Sequence, residues 1–153
     1  MPVFSRSWPD KSGKVDPNRL RESGPLLQVE ISVPNPLAGY LSKQGYDIPA
    51  PIPGWALIDT GASITGVEVA VLSDLNLPPV DITTVQTPSG EERQVIFPCC
   101  ISFPGTPIPP LDLNRVTGCK LKRQGLTAII GRDVLKNFQL VYNGIDGFWT
   151  LAF

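Results

Sequence analysis

Histidine is absent from the 153-residue sequence. That absence removes Ser/His/Asp and Cys/His nucleophile arrangements and every histidine-based metal site. Chemistry must therefore run on carboxylates, lysines, hydroxyls or thiols. Cysteine is scarce, and Cys99, Cys100 and Cys119 are an odd set with two adjacent members. Such a set suits neither a disulfide framework nor a four-ligand zinc site, so reduced thiols in or near a strand are expected. A bias of charge is lacking too: Lys and Arg total 13 against 14 Asp and Glu. With no basic run to grip phosphates, nucleic acid is not an expected partner. Residues 1–10 hold no apolar stretch of signal-peptide length, and a cytoplasmic location is expected. Residues 94–111 carry no charge, but Pro98, Pro104, Pro107, Pro109 and Pro110 interrupt them. Strand and loop are expected there, and no membrane association.

The length fits one folded domain. Residues 1–24 are rich in charge, Pro, Gly and Ser and show neither helical nor strand periodicity, so a flexible or surface-wrapping arm is expected before a domain spanning 25–153. Val29, Ile31 and Val33 alternate with polar residues, the period of a half-buried strand. Residues 34–54, with five prolines and three glycines, read as a long loop. The apolar run Trp55-Ala56-Leu57-Ile58 reads as a buried strand ending at Asp59, and a short helix is expected from about Glu68 to Leu75.

Strand-like runs at 82–86 and 94–96 flank Thr87-Pro88-Ser89-Gly90, a turn with Pro and Gly where a projecting hairpin needs them. Residues 104–125 read as a second long connection. Another apolar strand, Thr127 to Ile130, is broken by Gly131, after which Asp133 is expected to cap a helix running through Phe138. A hairpin from Gln139 to Phe153, turning near Asn143-Gly144 or Asp146-Gly147, completes a mainly β class.

Residues 56–63, Ala-Leu-Ile-Asp-Thr-Gly-Ala-Ser, carry the chemistry. A carboxylate at the end of a rigid strand is held still. Thr60 offers a hydroxyl that can fix neighbouring backbone, and Gly61 permits close approach by a peptide or a second chain. This segment resembles the active-site strand of retropepsin-like aspartic proteases. Ile129-Ile130-Gly131-Arg132-Asp133 resembles the second mark of that family, two hydrophobic residues, Gly, Arg and Asn or Asp before a short helix.

The resemblance implies a closed, barrel-like β subunit with one or two short helices and a flap hairpin, and an aspartic endopeptidase acting on extended polypeptides. It implies Asp59 as the catalytic acid, supported by Thr60 and Gly61. Gly61, Ala62 and Ser63 would border the cleft, and Thr87, Pro88, Ser89 and Gly90 would form a flap tip over the substrate. No metal or other cofactor is needed. One Asp-Thr-Gly per chain implies a homodimer, in which the hairpin from Gln139 either helps to seal the pair or closes the subunit's own sheet.

Two departures from the family stand out. The flap tip is poorer in glycine than in retroviral enzymes, and Ser63 stands where those commonly have an Asp that pairs with the late-motif Arg. Arg132 must then find another partner, such as an acid from the second chain, or lie free on the surface. Asp133 reads as a helix cap rather than a second catalytic acid. The rival reading keeps the fold and drops catalysis, leaving a dimerisation or peptide-binding module. A phosphate-handling loop is a more distant rival, but it needs a larger α/β domain and nucleotide motifs.

Overall fold

The computed structural model describes residues 1–153. In chain order the elements are β1 (Val3–Ser7), α1 (Pro17–Ser23), β2 (Leu26–Ser32), α2 (Asn35–Lys43), β3 (Ile52–Ile58), β4 (Gly66–Glu68) and α3 (Val69–Asp74). There follow β5 (Asp81–Thr87), β6 (Gly90–Ser102), β7 (Leu111–Cys119), a 3-10 turn (Lys122–Gln124), β8 (Ala128–Ile130), α4 (Arg132–Leu135), β9 (Gln139–Asn143) and β10 (Phe148–Ala152). The molecule is mainly β, as its alternating and apolar runs require.

Seven strands pair in the order β2-β3-β8-β4-β7-β6-β5, and β2 also pairs with β6. That extra pairing, Glu30 to Ser32 against Cys100 to Ser102, closes six strands into a barrel and leaves β5 on the outside as one arm of a hairpin. Closure removes the open edges at which a sheet would otherwise recruit other chains. Leu27, Val29 and Ile31 of β2, each at most 1% exposed, point inward at period two. Ala56 and Ile58 of β3, Val67, Val116, Ala128 and Ile130 join them in one core.

β6 runs without a break through Pro98, where the register against β7 shifts between Phe97 and Cys99. A bulge is where a strand tolerates a residue with no N–H to donate. β7 lies within the stretch expected as a connection. Its Leu111 and Leu113 alternate, but Val116 falls out of phase with them, which hides the strand from a period-two reading.

Two further elements escape local periodicity. The 34–54 loop contains α2, whose Pro sits in the first turn, where its missing N–H costs no helical hydrogen bond. None of the residues of α2 is fully buried, and only Leu37, Ala38 and Leu41 pack against the core, so its apolar face is too short to stand out among the prolines and glycines. Residues 1–24 likewise form β1 and α1. Asp16 caps α1 by accepting from the Asn18 N–H at 3.0 Å, with Pro17 following it, and Leu20 is fully buried.

β1 pairs with β10, and β10 with β9, in a three-stranded sheet. Both edges of β10 are thus hydrogen-bonded within its own chain. Of the two roles open to the hairpin from Gln139, this is closure of the subunit's own sheet. Trp149, fully buried, packs against Phe4 with ring centroids 5.7 Å apart. Trp55 is half-buried, and the Arg6 guanidinium lies 4.7 Å above its ring.

Candidate active site

The two sequence motifs lie some seventy positions apart, and a parallel pairing brings them together. β3 and β8 run side by side with Ile58 opposite Ile130, so both strands deliver their next residues to the same end of the barrel. The Asp59 N–H donates to the Ile130 carbonyl at 3.0 Å. Asp59 is half-buried there. Its Oδ1 accepts from the Gly61 N–H at 2.8 Å, and the Ala62 N–H donates to its carbonyl at 3.3 Å. A side chain at position 61 would place its Cβ 3.0 Å from that same Oδ1, so glycine lets the turn fold back onto the carboxylate.

Within its own chain Arg132 finds a partner in the backbone of the Asp59 loop, which corrects the alternative of a free surface cation. One guanidinium nitrogen, Nη1, donates to the carbonyls of Thr60 at 2.6 Å and Gly61 at 3.1 Å. The N–H groups of Arg132 and Asp133 donate to the carbonyls of Ala62 at 2.9 Å and Ser63 at 3.3 Å. Four successive carbonyls of the loop are therefore held by the start of α4. Serine at position 63 is compatible with this because the arginine needs no carboxylate there.

The helix ends at Leu135 rather than Phe138, and Asp133 is not the helix cap expected from the sequence. It lies inside the first turn of α4, with Gly131 at the N-cap, and its Oδ1 accepts from the Val134 N–H at 3.0 Å, the Thr65 N–H at 3.0 Å and the Thr65 hydroxyl at 2.8 Å. The Thr65 hydroxyl in turn accepts from the Gly131 N–H at 3.1 Å. Thr65 is fully buried and has no counterpart among the residues the motifs single out. Sequence offers only a weak signal for it, a hydroxyl residue just before an apolar strand. The approach is close: a Cβ at position 131 would lie 2.7 Å from the Ile64 carbonyl carbon, which leaves room for glycine alone.

Beside the loop lies a cleft of about 160 Å³. Gly61, Ala62, Ser63 and Ile64 form one wall, Val85, Gln86 and Gln94 of the β5–β6 hairpin the other, and Cys119 and Ile129 also line it. The hairpin forms as expected, with Thr87 paired to Gly90 across its tip. Thr87 donates its hydroxyl to the Gly90 carbonyl at 2.9 Å, and Thr87 and Ser89 hydroxyls lie 3.1 Å apart. Residues 87–90 stand beyond the cleft, and its hairpin wall comes from mid-strand positions. Those contributions depend on register and are invisible in the sequence. Asp81 and Arg115 join the base of the hairpin to β7 through a 2.8 Å ion pair.

All three cysteines are free. Burial pushes the Cys99 thiol up to about 12 and raises those of Cys100 and Cys119 as well, so none is an activated nucleophile. No helix is long and apolar enough to cross a membrane.

No family model and no curated protein matches the sequence. Solved structures do match in shape. One is the solution structure of the Simian Foamy Virus (mac) protease, at 19% identity over 72% of this chain and 91% of that one, with a TM-score of 0.44. Another is the crystal structure of a retropepsin-like aspartic protease from Rickettsia conorii, at 14% identity over 97% of this chain and 90% of that one, with a TM-score of 0.46.

Proposed function

We propose that the protein is an aspartic endopeptidase whose active site forms when two copies bring their Asp59 carboxylates together. The observation that carries this reading is the setting of Asp59. It ends a buried strand, is held by the Gly61 N–H, and belongs to a loop that walls a cleft with a hairpin opposite. A loop whose carbonyls are fastened by Arg132 and α4 holds its carboxylate without reorganisation, as catalysis by placement needs.

Two carboxylates within hydrogen-bond reach cannot both ionise, so the pair shares one proton. The ionised Asp59 takes a proton from a water held between them, and the protonated Asp59 of the partner subunit hydrogen-bonds to the scissile carbonyl. Attack gives a tetrahedral diol. Proton transfer to the amide nitrogen then releases the amine as the C–N bond breaks. Thr60, exposed at the turn, faces the second copy, and the Thr87–Gly90 tip closes over the extended peptide.

Asp59→Asn tests the reading, because it removes the base and the shared proton at constant size. Peptide hydrolysis is expected to fall by at least three orders of magnitude, with the circular dichroism and denaturation midpoint retained. Unchanged turnover in Asp59→Asn refutes the assignment.

A further inference from the structure

Beyond Cys119 the chain enters a basic turn. Cys119 lines the cleft, and Lys120 follows it within one Cα step, about 3.8 Å. Leu121, buried, anchors the turn. The N–H groups of Leu121 and Lys122 both donate to Oε2 of Glu68, while Glu68 Oε1 accepts from the Ala70 N–H at 3.3 Å. The Glu68 carboxylate is thus occupied by backbone donors. Lys120, Lys122 and Arg123 are exposed around one surface concavity.

None of these three cations forms an ion pair, although the Glu68 carboxylate shares the concavity and feels the charge of Lys122. The chain's ion pairs are Arg21 with Glu22 and Arg115 with Asp81, and neither involves the basic turn. Glu92, on the hairpin near Cys119, contributes negative potential there but forms no ion pair. Since the chain as a whole is close to neutral, the cluster is a local feature with a fixed backbone beneath it. A cationic cluster that begins one residue along the chain from a cleft-lining side chain draws in and orients anionic groups.

We infer that the Lys120-Lys122-Arg123 turn is a docking site for acidic side chains of the polypeptide in the cleft, so that the protein selects segments with Asp or Glu a few residues to one side of the occupied cleft. The inference rests on the protease reading for its substrate and on the turn's own charge for its selectivity. Exposed ion pairs are individually weak, so three together are expected to favour an acidic over a neutral peptide about three- to tenfold in kcat/KM. The preference fades at high salt, where the screening length falls to about 3 Å.

The test is cleavage of a peptide library by the full chain, alongside the charge reversal Lys120→Glu, Lys122→Glu, Arg123→Glu and the distant control Lys43→Glu. Acidic residues should be enriched on one side of the cut, the acidic-to-neutral ratio should fall below one in the triple variant, and Lys43→Glu should leave the ratio alone. A ratio unmoved by the triple reversal overturns the inference. Should the reversal impair folding, Lys120→Gln with Arg123→Gln gives the same readout. Binding of a fluorescent acidic peptide and its amide analogue to the Asp59→Asn protein separates the two readings. If nothing is cleaved, the protease reading fails, and acidic preference in binding that is lost in the charge variants still upholds the docking site. Equal binding of both peptides removes it.

Discussion

Glu68 shows how one residue ties folding to pH. It is 8% exposed. Burial raises its carboxyl, but the N–H groups of Leu121, Ala70 and Lys122 outweigh burial and hold it below its usual value. A carboxyl depressed in the fold stabilises the protein above its unfolded value, about 4.3, and loses that contribution as pH falls through the lower folded value. Glu68→Gln, which keeps an acceptor but not the charge, is expected to cost about 1–3 kcal/mol at pH 7. Denaturant midpoints at pH 7 and pH 3 should show the gap between wild type and variant closing in acid. A gap that is constant across that range would contradict the account.

At the scale of elements, the working unit is the pair formed by the Asp59 loop and the start of α4. Asp133 is its fastening: removing the carboxylate leaves the buried Thr65 N–H and hydroxyl without their shared acceptor. Asp133→Ala is expected to destabilise by about 2–3 kcal/mol and to lower kcat more than it raises KM, because the carboxylate of Asp59 loses its fixed position. Asp133→Asn keeps the Oδ1 acceptor and should restore most of both. Equal losses in Ala and Asn variants, read from urea melts and steady-state kinetics, would show that the charge matters rather than the bracket. The hairpin is the other unit. Its base is fixed by Asp81 and Arg115, while Gln86 and Glu91, joined at 2.8 Å, tie its arms together near the tip.

The whole molecule supplies half of the proposed site. One chain carries one Asp59, at the start of the loop whose residues 61–64 line the cleft, and the proposed shared-proton chemistry needs two such carboxylates. The sheet β1-β10-β9 satisfies both edges of β10, and in the proposed pair the exposed Thr60 turn and Arg132 are expected to meet the second copy. In a two-fold pair the same patch meets itself. Specific activity is therefore expected to rise with protein concentration until the pair saturates, and Thr60→Ala should move that curve to higher concentration without changing the plateau more than a few-fold. Sedimentation of a fully active monomer would end the two-copy proposal.

The sequence by itself determined what is local. An apolar run ending in Asp-Thr-Gly gives a buried strand and a tight turn, and Thr-Pro-Ser-Gly between alternating runs gives a hairpin tip. Period-two burial in 29–33 places β2. Each follows from neighbours a few residues apart, where propensity and side-chain period act. What only the tertiary structure decided is which distant segments meet. The β3–β8 pairing puts Arg132 on the carbonyls of Thr60 and Gly61, and the burial of Thr65 turns an unremarked hydroxyl into the partner of Asp133. The strands β1 and β7 and the wall formed by Val85, Gln86 and Gln94 exist because a closed barrel and its flanking sheet need them. Long-range strand pairing is stabilised by burial across the whole core, and no local period records it.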